Sequence, residues 1–308
     1  MKNKKQDAKR LVIYLLLAFG IAWIPEIILN RTLGYENYFG GVFTFLTLPL
    51  LYACALGNLL TRKLTKEGFS DPLLHFRFKG NLKYYAFAVL YPVFQGVTAA
   101  LMYTALYGHF DWNEIAERFT WEKFIGQALI LLATGPLFAW NTIGEEYGWR
   151  GYMNQKMEPL FGTAGTVFIG GILWGVWHAP LTLEGHNFGK DYAGYPYTGI
   201  LAMCINCVVM GVFLMWVTKK TNSIFPAAIL HACNNTGVVS IGSIFLSGVG
   251  DPEKFAESLT PLQRMTGLIP AAVLAVVFMI IMIRSSREAA SPTDHTPKNQ
   301  VSTAIQQH

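Results

Sequence analysis

Residues 124–150 read FIGQALILLATGPLFAWNTIGEEYGWR. Positions 124–143 contain no Asp, Glu, Lys or Arg. At 1.5 Å of rise per residue, such a run makes a helix about 30 Å long, the thickness of the hydrocarbon core of a bilayer. The run closes on Glu145, Glu146 and Arg150. An ionisable group at membrane depth costs roughly 2.5–3.5 kcal/mol on insertion scales, so carboxylates at the end of a spanning helix signal a built site rather than chance.

Apolar runs of similar length recur on both sides of this stretch, near 11–29, 41–60, 84–107, 161–179, 198–217, 224–247 and 266–283. The expectation is an all-α polytopic membrane protein, a bundle of about eight transmembrane helices. The composition agrees: the chain is 52% hydrophobic and 14% charged, against about 25% charged in soluble domains. The first run is longer than the core of a signal peptide and no small-x-small site follows it, so it is read as a retained helix. Pro25 and Glu26 fall near its outer end, where a kink and a charge are tolerable.

The net charge of +5 invites a nucleic-acid reading, which the distribution of charge rejects. Eighteen of the 24 Lys and Arg residues fall in the N-terminal segment, the loop 61–83, the region of Arg150 and Lys156, the pair Lys219 and Lys220, and the tail. The six others are Arg31, Arg118, Lys123, Lys190, Lys254 and Arg264. That alternation is the positive-inside pattern. It implies a multi-pass protein of the plasma membrane with both termini in the cytoplasm.

Residues 1–284 read as a single membrane domain, with a motif core at 124–240, and 285–308 as a polar, disordered cytoplasmic tail. The loop 61–83 mixes cations with Leu73, Leu74, Phe76 and Phe78, a pattern suited to a headgroup surface. The loop 108–123 is acidic and aromatic, and 181–197 is rich in Gly and Tyr. Cys54, Cys204, Cys207 and Cys233 all lie in apolar stretches, where packing outweighs redox or metal roles. Gly171-x-x-x-Gly175 would let a second backbone approach its helix closely.

Three polar motifs carry the chemistry. In the first, Glu146 and Arg150 share a helix face and can pair, while Glu145 points about 100° away. Glu145 is thereby free to face a cavity and take a proton as a general base. The second places His178 four residues after Trp174, close to Pro180 and hence to a helix end. The third places His231 and Asn235 on one face, with Asn234 competing for the same role. A side-chain amide is a poor zinc ligand but a good donor to an oxyanion.

Together these groups can activate water and stabilise a tetrahedral intermediate. They also offer Glu145, His178 and His231 as ligands for a divalent metal such as zinc, with a fourth position open. No His-Glu-x-x-His and no Gly-x-Ser-x-Gly occurs, so the common zinc-protease helix and serine acyl transfer lack support. Gly248-x-Gly250-Asp251 imitates an aspartyl-protease motif, but no second buried aspartate completes a dyad.

The three motifs, in this order, resemble the CPBP family of CAAX proteases and bacteriocin-processing enzymes, also called Abi proteins. The resemblance rests on Glu145-Glu146-x-x-x-Arg150, Trp174-x-x-x-His178 and His231-x-x-x-Asn235. It implies an intramembrane endopeptidase opening toward the cytoplasmic face. Glu145 with His178 would activate water, and His231 with Asn235 would hold the oxyanion. Glu146, Arg150 and Trp174 would support them. It further implies membrane lipid and a peptide or prenylated protein as partners. A non-catalytic membrane partner or bacteriocin-immunity protein with the same fold is the alternative. A proton-coupled transporter is the third reading, and it would be expected to show an internal repeat.

Overall fold

The computed structural model describes residues 2–34, 48–70 and 73–290. In chain order the elements are α1 (Lys2–Leu33), a 3-10 turn (Leu48–Tyr52), α2 (Ala53–Leu64), α3 (Leu82–Tyr107), α4 (Trp112–Arg118), α5 (Trp121–Gly148), a π turn (Trp149–Met153) and α6 (Asn154–Trp177). They continue with α7 (Ala179–Leu183), α8 (Tyr197–Thr221), α9 (Phe225–Ser243), α10 (Pro252–Ser258), α11 (Pro261–Thr266) and α12 (Ile269–Ala290). There is no strand among the described residues, and the chain is an all-α polytopic membrane protein.

Five helical segments among the described residues are long and apolar enough to cross a membrane: Lys4–Leu33, Leu82–Tyr107, Trp121–Trp177, Tyr197–Thr221 and Ile269–Glu288. The remaining runs differ from expectation for local reasons. Those at 124–143 and 161–179 both fall within Trp121–Trp177, which a non-helical Gly162 divides in two. The run at 224–247 forms α9, of 19 residues, whose hydropathy is lowered by His231, Asn234 and Asn235. Of the run at 41–60, residues 41–47 lie outside the described residues. The rest of that run forms the 3-10 turn and the start of α2, a helix of 12 residues, about 18 Å long and too short to span. The last helix continues to Ala290, six residues into the expected polar tail, and 291–308 lie outside the described residues.

The long central stretch positions the site. Thr120 caps it, accepting from the Lys123 amide at 3.2 Å. The helix runs on through the π turn until Gly162, whose φ of 68° breaks it. Only glycine enters that left-handed region without strain. The chain then reverses: Thr163 donates to Glu158 at 2.7 Å, and a Cβ on Gly170 would lie 3.1 Å from Cε of Met153. The second half of α6 therefore returns beside the π turn and brings Trp174 back to Glu145.

Gly171 and Gly175 face α8 without side chains. A Cβ on Gly171 would sit 2.6 Å from Cα of Val208, and one on Gly175 would collide with the backbone of Cys204. The close approach read from the glycine spacing is thus present. Around it a core of Tyr14, Trp149, Tyr152, Met157, Phe213 and Leu214 is almost wholly buried.

The two ends of the bundle differ in charge. At one end Glu67 takes Arg10 at 3.3 Å and the Tyr152 hydroxyl at 2.8 Å, and pairs with Lys156. Lys156 also reaches Asp7 at 3.5 Å, and Lys219 pairs with Glu158 and donates to Ser286 at 3.1 Å. Every loop expected on the basic side contributes to this end. At the other end Arg118 donates to the Gly250 carbonyl at 2.7 Å, and Arg264 to that of Asn187 at 2.8 Å. The 61–83 loop folds back at the basic end, with Leu73 buried and Phe76 stacked on Phe225 at 3.6 Å.

Candidate active site

The ends of α5, α6 and α9 meet at one cluster. Glu146, with no exposed surface, accepts Arg150 Nη1 at 3.0 Å and faces His231 Nδ1 at 3.0 Å, both on Oε1. The expected pairing of Glu146 with Arg150 is present, and a histidine from a second helix joins it. Both partners converge on Oε1, and Oε2 is buried with no hydrogen-bond partner among the described residues. Removing one partner of such a buried pair leaves an uncompensated charge.

Glu145 is 7% exposed and faces a different way. Its Oε2 accepts the indole N–H of Trp174 at 2.8 Å. The same indole ring carries the Arg150 guanidinium 4.3 Å from its centroid and meets His231 edge-on at 5.1 Å. The sequence makes Trp174 a supporting aromatic neighbour of His178. In the structure it also donates directly to the candidate base, and its ring separates that base from the Arg150 charge.

His178 caps the C-terminus of α6. Its Nδ1 lies 2.8 Å from the Trp174 carbonyl oxygen. A carbonyl can only accept, so Nδ1 carries a proton, and in the neutral ring Nε2 keeps the lone pair. Trp177 packs edge-on to the imidazole at 5.0 Å and fixes its plane.

A cavity of about 580 Å³ joins these groups. Glu145, Trp174, His178, His231, Asn234 and Asn235 all line it, which brings every expected cavity-facing residue to one space. Asn235 is exposed, while Asn234 is half-buried with an Oδ1 that has no partner among the described residues. The cavity adds residues outside the three motifs. Gln95, in the apolar α3, is 5% exposed, and its Oε1 also lacks a partner among the described residues. Glu26, expected near an exposed helix end, is 4% exposed and lines the cavity. Both are polar groups inside apolar helices, the same signal that marks the three motifs.

The site lies near the basic end by depth: His231 is six residues into α9, about 9 Å along its axis. Tyr147, Leu73, Ile224 and Ala55 form one buried cluster at that end, and the cavity lining extends as far as Tyr103, Asn187 and Arg264.

Among the described residues no three His, Cys, Asp or Glu side chains are grouped to hold a metal. The Nδ1 atoms of His178 and His231 are bonded to the Trp174 carbonyl and to Glu146, which leaves both Nε2 atoms open, and Glu145 is held by an indole through Oε2 alone. The four cysteines are free thiols. Asp251 lies exposed in a turn, far from any dyad role.

A buried carboxylate with an imidazole, inside an all-α membrane bundle, is a set of groups able to activate water. Residues 121–237 match the family model for type II CAAX prenyl endopeptidases, Rce1-like, which supports the resemblance to the CPBP family over that part of the chain. No curated protein matches the chain. At the family level that match supports a CAAX-type membrane protease, an activity that implies a peptide or protein substrate.

Proposed function

We propose that the chain hydrolyses a peptide bond inside the bilayer with Glu145 as general base. Water held between Glu145 and His178 gives up a proton as its oxygen attacks the carbonyl carbon. The tetrahedral oxyanion is met by His231 and the Asn235 amide. Collapse breaks the C–N bond, the proton passes to the leaving amine, and a carboxylate remains. His231 is held against Glu146 through Nδ1 and, when protonated, donates from Nε2 toward the oxyanion. No step passes through a metal.

One observation carries this reading: of the two adjacent carboxylates, Glu146 is fully buried against Arg150 and His231, while Glu145 lines the cavity. The charge asymmetry supports a plasma-membrane orientation with the basic end in the cytoplasm.

The test is cleavage of a fluorogenic peptide library, with and without a C-terminal isoprenyl cysteine, by purified protein in detergent. Wild type and Glu145→Gln are compared, each with and without chelator. Cleavage by wild type alone is the expected result, and the chelator arm decides whether a metal takes part. Equal turnover by Glu145→Gln would sink the mechanism.

A further inference from the structure

The segment 61–83 carries chemistry that the candidate active site does not use. It holds Arg62, Lys63, Lys66, Arg77, Lys79 and Lys83 against Glu67 and Asp71. Asp71 lies outside the described residues. Glu67 is turned inward, where it takes Arg10, Lys156 and the Tyr152 hydroxyl. Arg62 is buried, and its Nε donates to Asn58 at 2.8 Å. The other five cations are exposed.

Large apolar side chains stand among these cations. Leu73 turns into the bundle, but Phe69, Phe76 and Phe78 are each more than half exposed. Phe76 stacks on Phe78 at 5.5 Å, and the row continues to Phe225 on one side and Tyr85 on the other. The row has a fixed seat. The Leu73 carbonyl accepts the Ile224 amide at 3.1 Å, and the His75 carbonyl accepts the Ser223 hydroxyl at 2.7 Å. Both donors stand just before α9.

The position of the row indicates what covers it. The spanning helix α3 starts at Leu82, so the segment lies where the chain enters the bilayer. The positive-inside rule puts this basic end toward the cytoplasm, where the leaflet is negatively charged. Exposed charge alone would suit an acidic protein, and exposed apolar surface alone a neutral bilayer. Rings and cations interleaved at a span's mouth suit a lipid surface, with the rings among the upper acyl chains and the cations at the phosphates.

We propose that Phe76, Arg77, Phe78, Lys79 and Lys83 form a binding surface for anionic phospholipid in the leaflet at the basic end. The assignment does not depend on the peptidase reading.

The test uses the full chain in detergent. Its thermal unfolding is followed while dioctanoyl phosphatidylglycerol, dioctanoyl phosphatidylcholine or glycerol phosphate is titrated in. Phosphatidylglycerol should raise the melting temperature saturably, less so at high salt, and the other two should not. Arg77→Gln with Lys79→Gln should melt as wild type does without lipid, since neither side chain has a partner among the described residues. Its apparent affinity for phosphatidylglycerol should fall about thirtyfold, the share of two surface cations. Arg284→Gln with Arg287→Gln, which removes exposed cations of α12, should keep the wild-type response. Equal stabilisation by phosphatidylcholine or by glycerol phosphate would overturn the proposal, and so would an undiminished response in the Arg77 and Lys79 variant. A melting temperature that rises with protein concentration but not with lipid would make the occupant a second copy instead.

Discussion

His231 Nδ1 lies 3.0 Å from Glu146 Oε1, the oxygen that also receives Arg150. The second acid of the Glu145–Glu146 pair thus ties α9 to α5 and leaves only the first to face the cavity. Removing Arg150 should leave a buried carboxylate without its main counter-charge. Arg150→Met is expected to destabilise the fold by about 3–5 kcal/mol, and Glu146→Gln with Arg150→Met by clearly less. Chemical unfolding in detergent, followed by tryptophan fluorescence, measures both.

Glu145→Gln should preserve packing, because the amide oxygen can still accept from Trp174. It cannot take a proton. Turnover is expected to fall by about 10²–10⁴, with thermal stability close to wild type.

Trp174→Phe keeps a ring beside Arg150 and His178 but removes the 2.8 Å donor to Glu145. The carboxylate loses its orientation. A fall in kcat of at least about tenfold is expected, from the loss of one hydrogen bond to a charged acceptor. A change confined to KM would argue that Trp174 serves substrate binding instead.

His186 lines the cavity in the connecting chain outside the spans, and burial pushes its pKa down to about 4. The nearby His178 adds a smaller push in the same direction. The unfolded chain, near 6.5, takes up a proton that the folded one refuses. This group therefore stabilises the fold fully above about 6.5 and ceases to as the pH falls toward 4. Thermal unfolding across that window should fall less steeply in His186→Gln than in wild type.

Gly171→Val should force α6 and α8 apart, because its new Cβ would stand 2.6 Å from a backbone carbon of Val208. Overpacking of this kind costs about 1–3 kcal/mol. Turnover is expected to fall with stability, since α6 also carries Trp174 and His178. A stable, active variant would mean that the two helices can separate without disturbing the site.

The three motifs are legible in the sequence because each places ionisable or amide groups where the surroundings are apolar. Their meeting is legible only in outline: spacing defines the face of Glu146 and Arg150, but not the return at Gly162 that lays Trp174 on Glu145. One residue with positive φ decides that, and nothing in a hydropathy pattern marks it. Gln95 does not stand out, because a single amide in an apolar run resembles ordinary helix packing. The π turn at Trp149–Met153 is likewise invisible, since its residues read as helix.

The glycine contacts between α6 and α8 mean that helix spacing there is set by main chain against main chain, not by side-chain bulk. Cavity residues on α8 such as Met203, Asn206 and Met210 are thereby relieved of holding the frame apart. They can be exchanged for larger or smaller ones while the register of His178 and Trp174 persists. Variation among such chains in the substrates they accept is then expected to concentrate on those wall positions, with the glycines left untouched.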